Sequence, residues 1–428
     1  MGRDRGPGGG DPALTAARDP RWPLLLPLCD PAVRRLAAAR FAALLGSSLL
    51  PTALAFAVLG MTDTSASTLG AVVAAAVGGQ VLALLPGGVV ADRTSRRRLM
   101  TAAELAAGAA TLVMGTLVLL GHATVLQLAI LAAGGGAATG FFYPAFTGFV
   151  PEVAAPEQLQ SVNALLRFSV NVARILGAAL SGVLVASLGA GVAITGSGLA
   201  SVTAAALIAW VPPRHSVPRA AASRPLGDFR EGWREFRSRR WVVVIVILGA
   251  VSNLGVGAAL GVLGPLQSKA SLGGATAWAT ISSALALGTV LGAFVAVRIR
   301  VHRPLVVAMP ALGLFALPLA ALAVPTSMLV IAGSAFVAGV ALDVFSVLWD
   351  TSLQRYVPHE ALSRVSAFDW LGSFALSPLA LVAAGPLVDA FGIAPVLWVA
   401  AGLAAMPPLA LLEAQVRQLG ARRGSSER

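Results

Sequence analysis

The sequence predicts an all-α membrane protein with twelve transmembrane helices in two pseudo-symmetric six-helix halves. Three observations predict this fold: the composition, the number of charge-free stretches and the internal repeats. Of the 428 residues, 57% are hydrophobic and only 12% are charged, with a mean hydropathy of +0.81. Soluble proteins carry about 25% charged residues. A chain with so few charges cannot cover its surface against water, which favours a membrane-embedded protein.

The stretches without Asp, Glu, Lys or Arg give the number of helices. A helix needs about 20 mostly apolar residues to cross the hydrocarbon core of a bilayer. The longest stretches each hold two helices, divided near residues 121–122, 189–191 and 325–326, and the total is twelve. The stretches are 41–62, 64–91, 105–151, 175–213, 241–268, 270–297, 304–342, 370–388 and 390–412.

The distribution of basic residues predicts the orientation. With a cytoplasmic N-terminus, 28 of the 31 Lys and Arg residues fall in cytoplasmic segments, with Arg40 at the membrane edge. Arg167 and Arg174 lie inside the fifth span, and only Lys269 faces outward. Because cytoplasmic loops carry an excess of Lys and Arg, we expect both termini in the cytoplasm and a multi-pass protein of the inner (plasma) membrane. The anionic inner leaflet explains the net charge of +12 without nucleic acid.

The polar segments divide the chain. We expect a disordered cytoplasmic tail (1–33), a first six-helix half (34–211), a cytoplasmic linker (212–240), a second half (241–413) and a cytoplasmic tail (414–428). The linker carries Phe229, Trp233 and Phe236 at helical spacing, which predicts an amphipathic helix on the inner leaflet. The two halves also share motifs: Phe149-Val150-Pro151 corresponds to Tyr356-Val357-Pro358. Internal repeats are typical of secondary transporters.

Residue counts exclude several chemistries. The single lysine, Lys269, follows no glycine, so the chain has no P-loop for ATP. One cysteine and four scattered histidines leave no metal-ligand spacing. The tripeptide Gly196-Ser197-Gly198 resembles a protease turn, but no histidine lies within a span to activate the serine. We therefore expect no enzymatic activity, catalytic residue, metal or cofactor.

The loop after the second span carries the most specific motif. It reads Gly88-Val89-Val90-Ala91-Asp92-Arg93-Thr94-Ser95-Arg96-Arg97, which resembles the loop signature of the major facilitator superfamily, with Ser95 where glycine is usual. The resemblance implies a gate formed by Gly88, Asp92, Arg93, Arg96 and Arg97. In the family, such an aspartate meets the positive N-terminal end of span eleven. The alternative is a basic loop that fixes topology only.

Two further stretches resemble the macrolide-efflux and enterobactin-export group of that superfamily. One begins Phe141-Phe142-Tyr143-Pro144-Ala145-Phe146, and the other reads Leu353-Gln354-Arg355-Tyr356-Val357-Pro358. The resemblance covers about residues 35–413 and implies an exporter. The antiporter signature of span five is only partial, as Gly177-Ala178-Ala179-Leu180-Ser181-Gly182. Ring packing in a pocket, in the core or against lipid remains open for 141–143.

Charged residues inside spans are candidate site residues, because they are costly there and usually face a cavity. Span five carries three polar residues at helical spacing: Arg167, Asn171 and Arg174. They form either a polar stripe that lines a cavity or contacts the other half, or a set of groups paired within the protein. Asp343 and Asp369, in spans ten and eleven, are the candidates for proton coupling. Glu104 lies near the arginine loop in sequence, and we expect it to form an ordinary ion pair with that loop at the membrane surface.

These observations predict a secondary active transporter. We expect a proton-coupled exporter of small hydrophobic or amphipathic molecules, such as a drug, antibiotic, siderophore or other metabolite. The alternative is an uncoupled facilitator, an importer or a lipid flippase on the same fold. The implied partners are a small-molecule substrate, protons and the lipid bilayer, with no nucleic acid, and the chain is expected to act as a monomer.

Overall fold

The computed structural model describes residues 30–62, 64–154, 158–213, 225–299, 301–324 and 327–419. In these ranges every regular element is a helix, and twelve helices are long and apolar enough to cross a membrane. The predicted fold class is therefore confirmed. Most of the predicted N-terminal tail, part of the linker (214–224) and the end of the C-terminal tail (420–428) lie outside the described residues.

The first six helices occupy the first half of the chain. The sequence predicted a first span from residue 41, but the helix begins ten residues earlier and includes three arginines. Asp30 caps it by accepting a hydrogen bond of 2.8 Å from the amide of Ala32, and Pro31 occupies the first turn, where its missing N–H costs nothing. The helices are α1 Pro31–Gly60, α2 Ala66–Arg93, α3 Arg96–Leu119, α4 Val125–Val153, α5 Leu159–Leu188 and α6 Ala190–Ala209.

The second half repeats this arrangement with more interruptions. Helix α7 contains two π-helical segments, Ala259–Leu263 and Ser268–Leu272. Helices α9 and α11 are each broken once, and Pro318 and Pro378 lie in the first turn of the segments after the breaks. A proline there has no amide to leave unpaired. The helices are α7 Arg240–Leu272, α8 Ala275–Arg298, α9 Pro304–Gly313 with Ala316–Ala323, α10 Met328–Tyr356, α11 His359–Phe374 with Ser377–Phe391, and α12 Ile393–Ala404 with Pro407–Leu412.

Equivalent helices pack in the same way in the two halves. Helix α2 packs on α4 as α8 packs on α10, and α1 packs on α5 and α6 as α7 packs on α11 and α12. Small residues permit the close crossings: a Cβ on Gly79 would collide with the carbonyl of Ala133, and one on Gly288 with the carbonyl of Phe336. The most extensive contacts between the halves are those of α2 with α11 and of α5 with α8. These pairs are related by the same repeat.

Three apolar cores show where the halves are joined. We call the end of the bundle that carries Arg93 and Arg298 the arginine-rich end, and the opposite end, which carries Lys269, the arginine-poor end. The largest core lies toward the arginine-poor end and includes residues of both halves, such as Val58 and Val262. Toward the arginine-rich end each half has a separate core. The halves are thus fastened together at one end and separate toward the other.

A helix outside the bundle lies at the arginine-rich end of the second half. This linker helix, Pro225–Ser238, confirms that the predicted amphipathic segment is helical. Its aromatic residues pack on α11: the ring centroids of Trp233 and Phe236 lie 5.6 and 5.8 Å from that of Phe368. Phe236 is buried, and Trp233 is 47% exposed. The linker helix is therefore docked on the second half through its apolar face, where the sequence predicted contact with lipid.

Candidate functional site

The first half carries an arginine deep inside α1. Arg40 is the tenth residue of that helix, about 14 Å from its beginning at a rise of 1.5 Å per residue. Its Cζ lies 5.5 Å from the ring centroid of Phe142, 5.6 Å from that of Tyr143 and 4.4 Å from that of Phe146. The guanidinium also forms a side-chain hydrogen bond with Tyr143. Arg40, which the sequence placed at the membrane edge, is therefore held by the rings of α4.

The structure places Phe142, one of the three aromatic residues at 141–143, in the core of the first half. Phe142 and Phe146 are one helical turn apart and stack with ring centroids 5.7 Å apart and planes at 16°. Phe142 is buried in the core of the first half, whereas Tyr143 is 40% exposed beside it. One ring thus packs the core, and the next borders an accessible space.

Glu104 belongs to this interior cluster. It is the ninth residue of α3, and its carboxylate forms a side-chain hydrogen bond with Ser201 of α6. The carboxylate of Glu104 attracts the guanidinium of Arg40. The guanidinium of Arg174, on α5, repels that of Arg40. The sequence favoured a surface pair with the arginine loop, but Glu104 lies two turns deeper than that loop and is half-buried. In the described part of the chain, the charged groups that interact with Arg40 are therefore one carboxylate and a second guanidinium.

The polar stripe of α5 turns toward α1. Ser181 is buried and donates a 2.7 Å hydrogen bond to the carbonyl of Leu49, and a Cβ on Gly177 would lie 2.5 Å from that of Ser48. Asn171 is half-buried and Arg174 is exposed. The side chain of Arg167 lies outside the described residues. Arg174, the last residue of the stripe, is therefore accessible, and the helix face beyond it, at Gly177 and Ser181, packs on α1.

The arginine loop is fastened to its own half. Arg96 donates a 2.9 Å hydrogen bond to the carbonyl of Gly148 and forms a 3.0 Å ion pair with Glu152, both on α4. Arg97 donates a 3.3 Å hydrogen bond to the carbonyl of Val211, just after α6. Arg93 is exposed. Gly88 faces open space, since a Cβ added to it would have no atom within 4 Å, and the side chain of Asp92 lies outside the described residues.

The two candidate carboxylates of the second half have different surroundings. Asp369 of α11 accepts a 2.9 Å hydrogen bond from the indole Nε1 of Trp349 on α10 and one of 3.5 Å from Ser373. Asp343 is half-buried where α8 and α10 cross, and a Cβ on Gly292 would lie 2.8 Å from its own Cβ. Asp369 thus links α11 to α10, whereas Asp343 lies on α10 at the close crossing with α8.

The described residues form no metal site, and one apolar crevice lies apart from the charged groups. Among the described residues, no group of three or more His, Cys, Asp or Glu side chains could hold a metal ion. A crevice among α7 to α10 is lined almost entirely by apolar residues, including Leu260, Trp278 and Phe315. The charged candidates therefore do not line this crevice.

The family follows from the sequence. The model of the Major Facilitator Superfamily matches residues 36–377, which cover most of the helical region. The chain belongs to this superfamily. Its members are transporters rather than enzymes, so the expectation that the chain is not an enzyme is confirmed. No curated protein sequence matches the chain.

Solved structures of superfamily transporters share the fold. The nucleoside transporter NupG, as a D323A mutant, superposes with a TM-score of 0.74 at 12% identity, covering 89% of this chain and 99% of its own. A bacterial homologue of the iron transporter ferroportin in an inward-facing state gives 0.69 at 16% identity, with 89% and 98% covered. The D-xylose–proton symporter gives 0.65 at 17% identity, with 88% and 96% covered. At these identities the likeness shows the fold alone.

The sequence did not reveal Arg40 and Glu104 as parts of a site. Each was assigned to the membrane surface because it borders a charge-free stretch. The signal that could have found them is depth: both lie more than two helical turns inside a continuous helix. The aromatic residues at 142, 143 and 146 share the same depth on α4.

Proposed function

We propose that this superfamily transporter is a proton-coupled secondary exporter of small hydrophobic or amphipathic molecules. The observation that carries the proposal is the arrangement of the charged groups. Arg40 and Glu104 in the first half, and Asp343 and Asp369 in the second, lie inside membrane helices of a bundle whose halves share a core only toward the arginine-poor end. A space that opens toward one end and contains charges is what a transported ligand and a coupling ion require.

The proposed orientation places the arginine-rich end in the cytoplasm. The positive-inside rule supports this orientation, since Lys269 is the one basic residue expected outside. The proposed protein then lies in the inner (plasma) membrane with both termini in the cytoplasm, and the structure corresponds to a state that is open inward. The proposed division keeps the tails at 1–33 and 414–428, the halves at 34–211 and 241–413, and the linker at 212–240. We propose a monomer.

The arginine loop is proposed as the gate of the opposite state. In that state Asp92 meets the N-terminal turn of α11, whose unpaired amides attract a carboxylate. The contacts of Arg96 with Glu152 and of Arg97 with Val211 support this role, because they hold the loop rigidly on the first half. Gly88 and Arg93 leave the loop surface open toward the second half. Because the loop is fixed to the first half, Asp92 can dock on α11 only when the two halves approach each other at this end.

Proton coupling is proposed to use Asp343, with Asp369 as the second candidate. A driving ion must bind the two conformations with different affinity. A proton that falls through 100 mV supplies about 2.3 kcal/mol, which is enough to shift such an equilibrium. Asp369 already accepts hydrogen bonds from Trp349 and Ser373 within the second half. The stripe of Arg167, Asn171 and Arg174 is proposed to line the cavity from the first half.

Everted membrane vesicles test the function. Vesicles with and without the protein are energised by respiration and given three probes: ethidium, 2-naphthoate and 2-naphthalenemethanol. The proposal predicts that at least one probe accumulates only in vesicles with the protein and that a protonophore abolishes the accumulation. Protein-dependent entry that stops at the external probe concentration and is unchanged by the protonophore would favour an uncoupled facilitator. Loss of a preloaded probe on energisation would favour import.

A further inference from the structure

The guanidinium of Arg40 keeps unused binding capacity. Its described side-chain hydrogen bond goes to Tyr143, and within the described chain its buried Nε has no hydrogen-bond partner. A guanidinium has five N–H donors in a rigid fork that matches a carboxylate. The rings of α4 cover its face but accept no hydrogen bonds at its edge. The edge of the fork therefore has at least one N–H donor, that of Nε, without a partner among the described residues.

The same guanidinium lies beside an accessible space. Its neighbour Tyr143 is 40% exposed, and Arg174 is exposed although it lies at the middle of α5. Arg174 faces α1, because Gly177, one turn further along α5, packs on Leu45 and Ser48 of α1. Tyr143 and Arg174 are therefore exposed groups beside Arg40, and the electrostatic interaction of Arg40 with Arg174 places the two guanidinium groups in the same region.

The local charge favours an anion. Among the described residues, the charged groups that interact with Arg40 are Glu104 and Arg174, so two guanidinium groups are accompanied by one carboxylate. Glu104 is also engaged by the hydroxyl of Ser201. A net positive charge inside a membrane protein is unfavourable until a counter-charge binds. A bound carboxylate supplies that counter-charge, and the neighbouring rings supply a surface for an apolar body.

We propose that Arg40 and Arg174 bind the carboxylate of a small organic anion whose apolar body packs against Tyr143 and Phe146. This inference deepens the proposed function, on which it rests for the transport path, by giving the substrate class: an amphipathic organic acid. A neutral or cationic molecule of the same shape leaves the guanidinium edge unpaired and binds more weakly. The fit of a planar fork to a carboxylate also distinguishes arginine from lysine at this position.

Equilibrium binding tests the site without any gradient. Purified protein in phosphatidylcholine nanodiscs is titrated with 2-naphthoate, 2-naphthalenemethanol and 2-naphthylmethylammonium, with empty nanodiscs as the partition control. The proposal predicts that the carboxylate binds about tenfold tighter than the other two, as expected for a charge-assisted pair. Equal affinity for the three probes, or preference for the cation, would overturn it. Because no proton gradient is used, failure here is distinct from failure of export in vesicles.

Variants of opposite sign sharpen the test. Arg40→Gln should weaken 2-naphthoate binding about tenfold, and Arg40→Lys should weaken it about threefold, since the point charge remains without the fork. Glu104→Gln removes the competing carboxylate and should tighten binding about threefold. The matched control is Arg355→Gln, because Arg355 also lies over a ring, 5.8 Å from the centroid of Tyr356, but at the end of α10.

A purely structural role for Arg40 predicts a different pattern. In that case Arg40→Gln lowers the melting temperature of the ligand-free protein but leaves naphthoate affinity unchanged, and Glu104→Gln does not tighten binding. That pattern would contradict the proposal. If Arg40→Gln does not fold, Arg174→Gln decides: the exposed Arg174 should be dispensable for folding, and its loss should weaken binding about threefold. Unchanged affinity in Arg174→Gln would overturn the two-arginine site.

Discussion

Ser67 of α2 donates a 2.6 Å hydrogen bond from its hydroxyl to the Oδ2 atom of Asp389 on α11, across 322 residues of sequence. The backbones approach closely around this bond, because a Cβ on Gly70 would collide with the carbonyl of Leu381 and one on Gly385 with Ser67. The amine of Lys269 on α7 also donates to the carbonyl of Leu59 on α1. The two halves are therefore latched at the arginine-poor end.

Weakening this bond should loosen the latch. Ser67→Ala removes one hydrogen bond to a carboxylate, and at an exposed site we expect a cost of about 1 kcal/mol, or fivefold in the open population. A cysteine at the buried Val72, in a Cys29→Ser background, should react about fivefold faster with a small maleimide. Ser187→Ala is the control, because that hydroxyl bonds within α5 to Val183. Equal labelling rates in the two variants would mean that the bond does not hold the halves together.

The orientation can be read from two single cysteines. Ser271→Cys, at the arginine-poor end beside Lys269, should react with an impermeant maleimide in intact cells. His302→Cys, in the loop before α9, should react only in everted vesicles. Ser271 suits a cysteine better than the neighbouring Gly273, whose φ of +95° strains any side chain. The reverse pattern of labelling would place the arginine-rich end outside.

Asp92 is the decisive residue of the loop. Asp92→Asn should lower probe transport about fivefold, because a carboxylate at a helix N-terminus contributes about 1 kcal/mol to the state in which it docks. Expression should remain close to normal. Glu413→Gln provides the comparison, since it removes an acidic group at the same end of the bundle that pairs with Arg240 at 2.8 Å within the second half. Full transport by Asp92→Asn would leave the motif as a topology signal.

Asp343 and Asp350 separate coupling from simple loss of charge. Both lie on α10 and are two turns apart, but Asp343 is half-buried and Asp350 is exposed. Asp343→Asn should abolish the accumulation that a proton gradient drives, while equilibrium binding of the probe stays within about threefold, because the coupling ion acts through its different affinity for the two states. Asp350→Asn should retain gradient-driven accumulation. If Asp343→Asn retains the accumulation, Asp343 is not the coupling residue, and Asp369 becomes the candidate to test.

The sequence was sufficient for the fold because twelve apolar stretches and a repeat leave few alternatives. It could not give helix ends: α1 begins ten residues before its charge-free stretch, since Arg34, Arg35 and Arg40 do not break a helix. It also could not give the π-helical segments of α7, whose backbone distortion has no residue signature in Ala259–Leu263.

The site was only partly predictable. The charged residues of α5, α10 and α11 can be recognised in the sequence alone, because each interrupts an apolar helix. The contact of Arg40 with the rings of α4 cannot be recognised in the sequence, since it depends on how α1 and α4 approach each other across about a hundred residues. Aromatic residues in a membrane helix are common. Only the fold shows which of them covers a charge.

A pair of spin-label distances tests the account most directly. One pair joins Thr64 and Phe391 at the arginine-poor end, and the other joins Gln158 and Gln354 at the arginine-rich end. Gly70→Val inserts a side chain against the carbonyl of Leu381, whereas Gly78→Val, on the same helix, meets no atom within 4 Å of its Cβ. Alternation between two states predicts that Gly70→Val lengthens the first distance and shortens the second, while Gly78→Val leaves both unchanged. Distances that lengthen together, or that do not move, would contradict it.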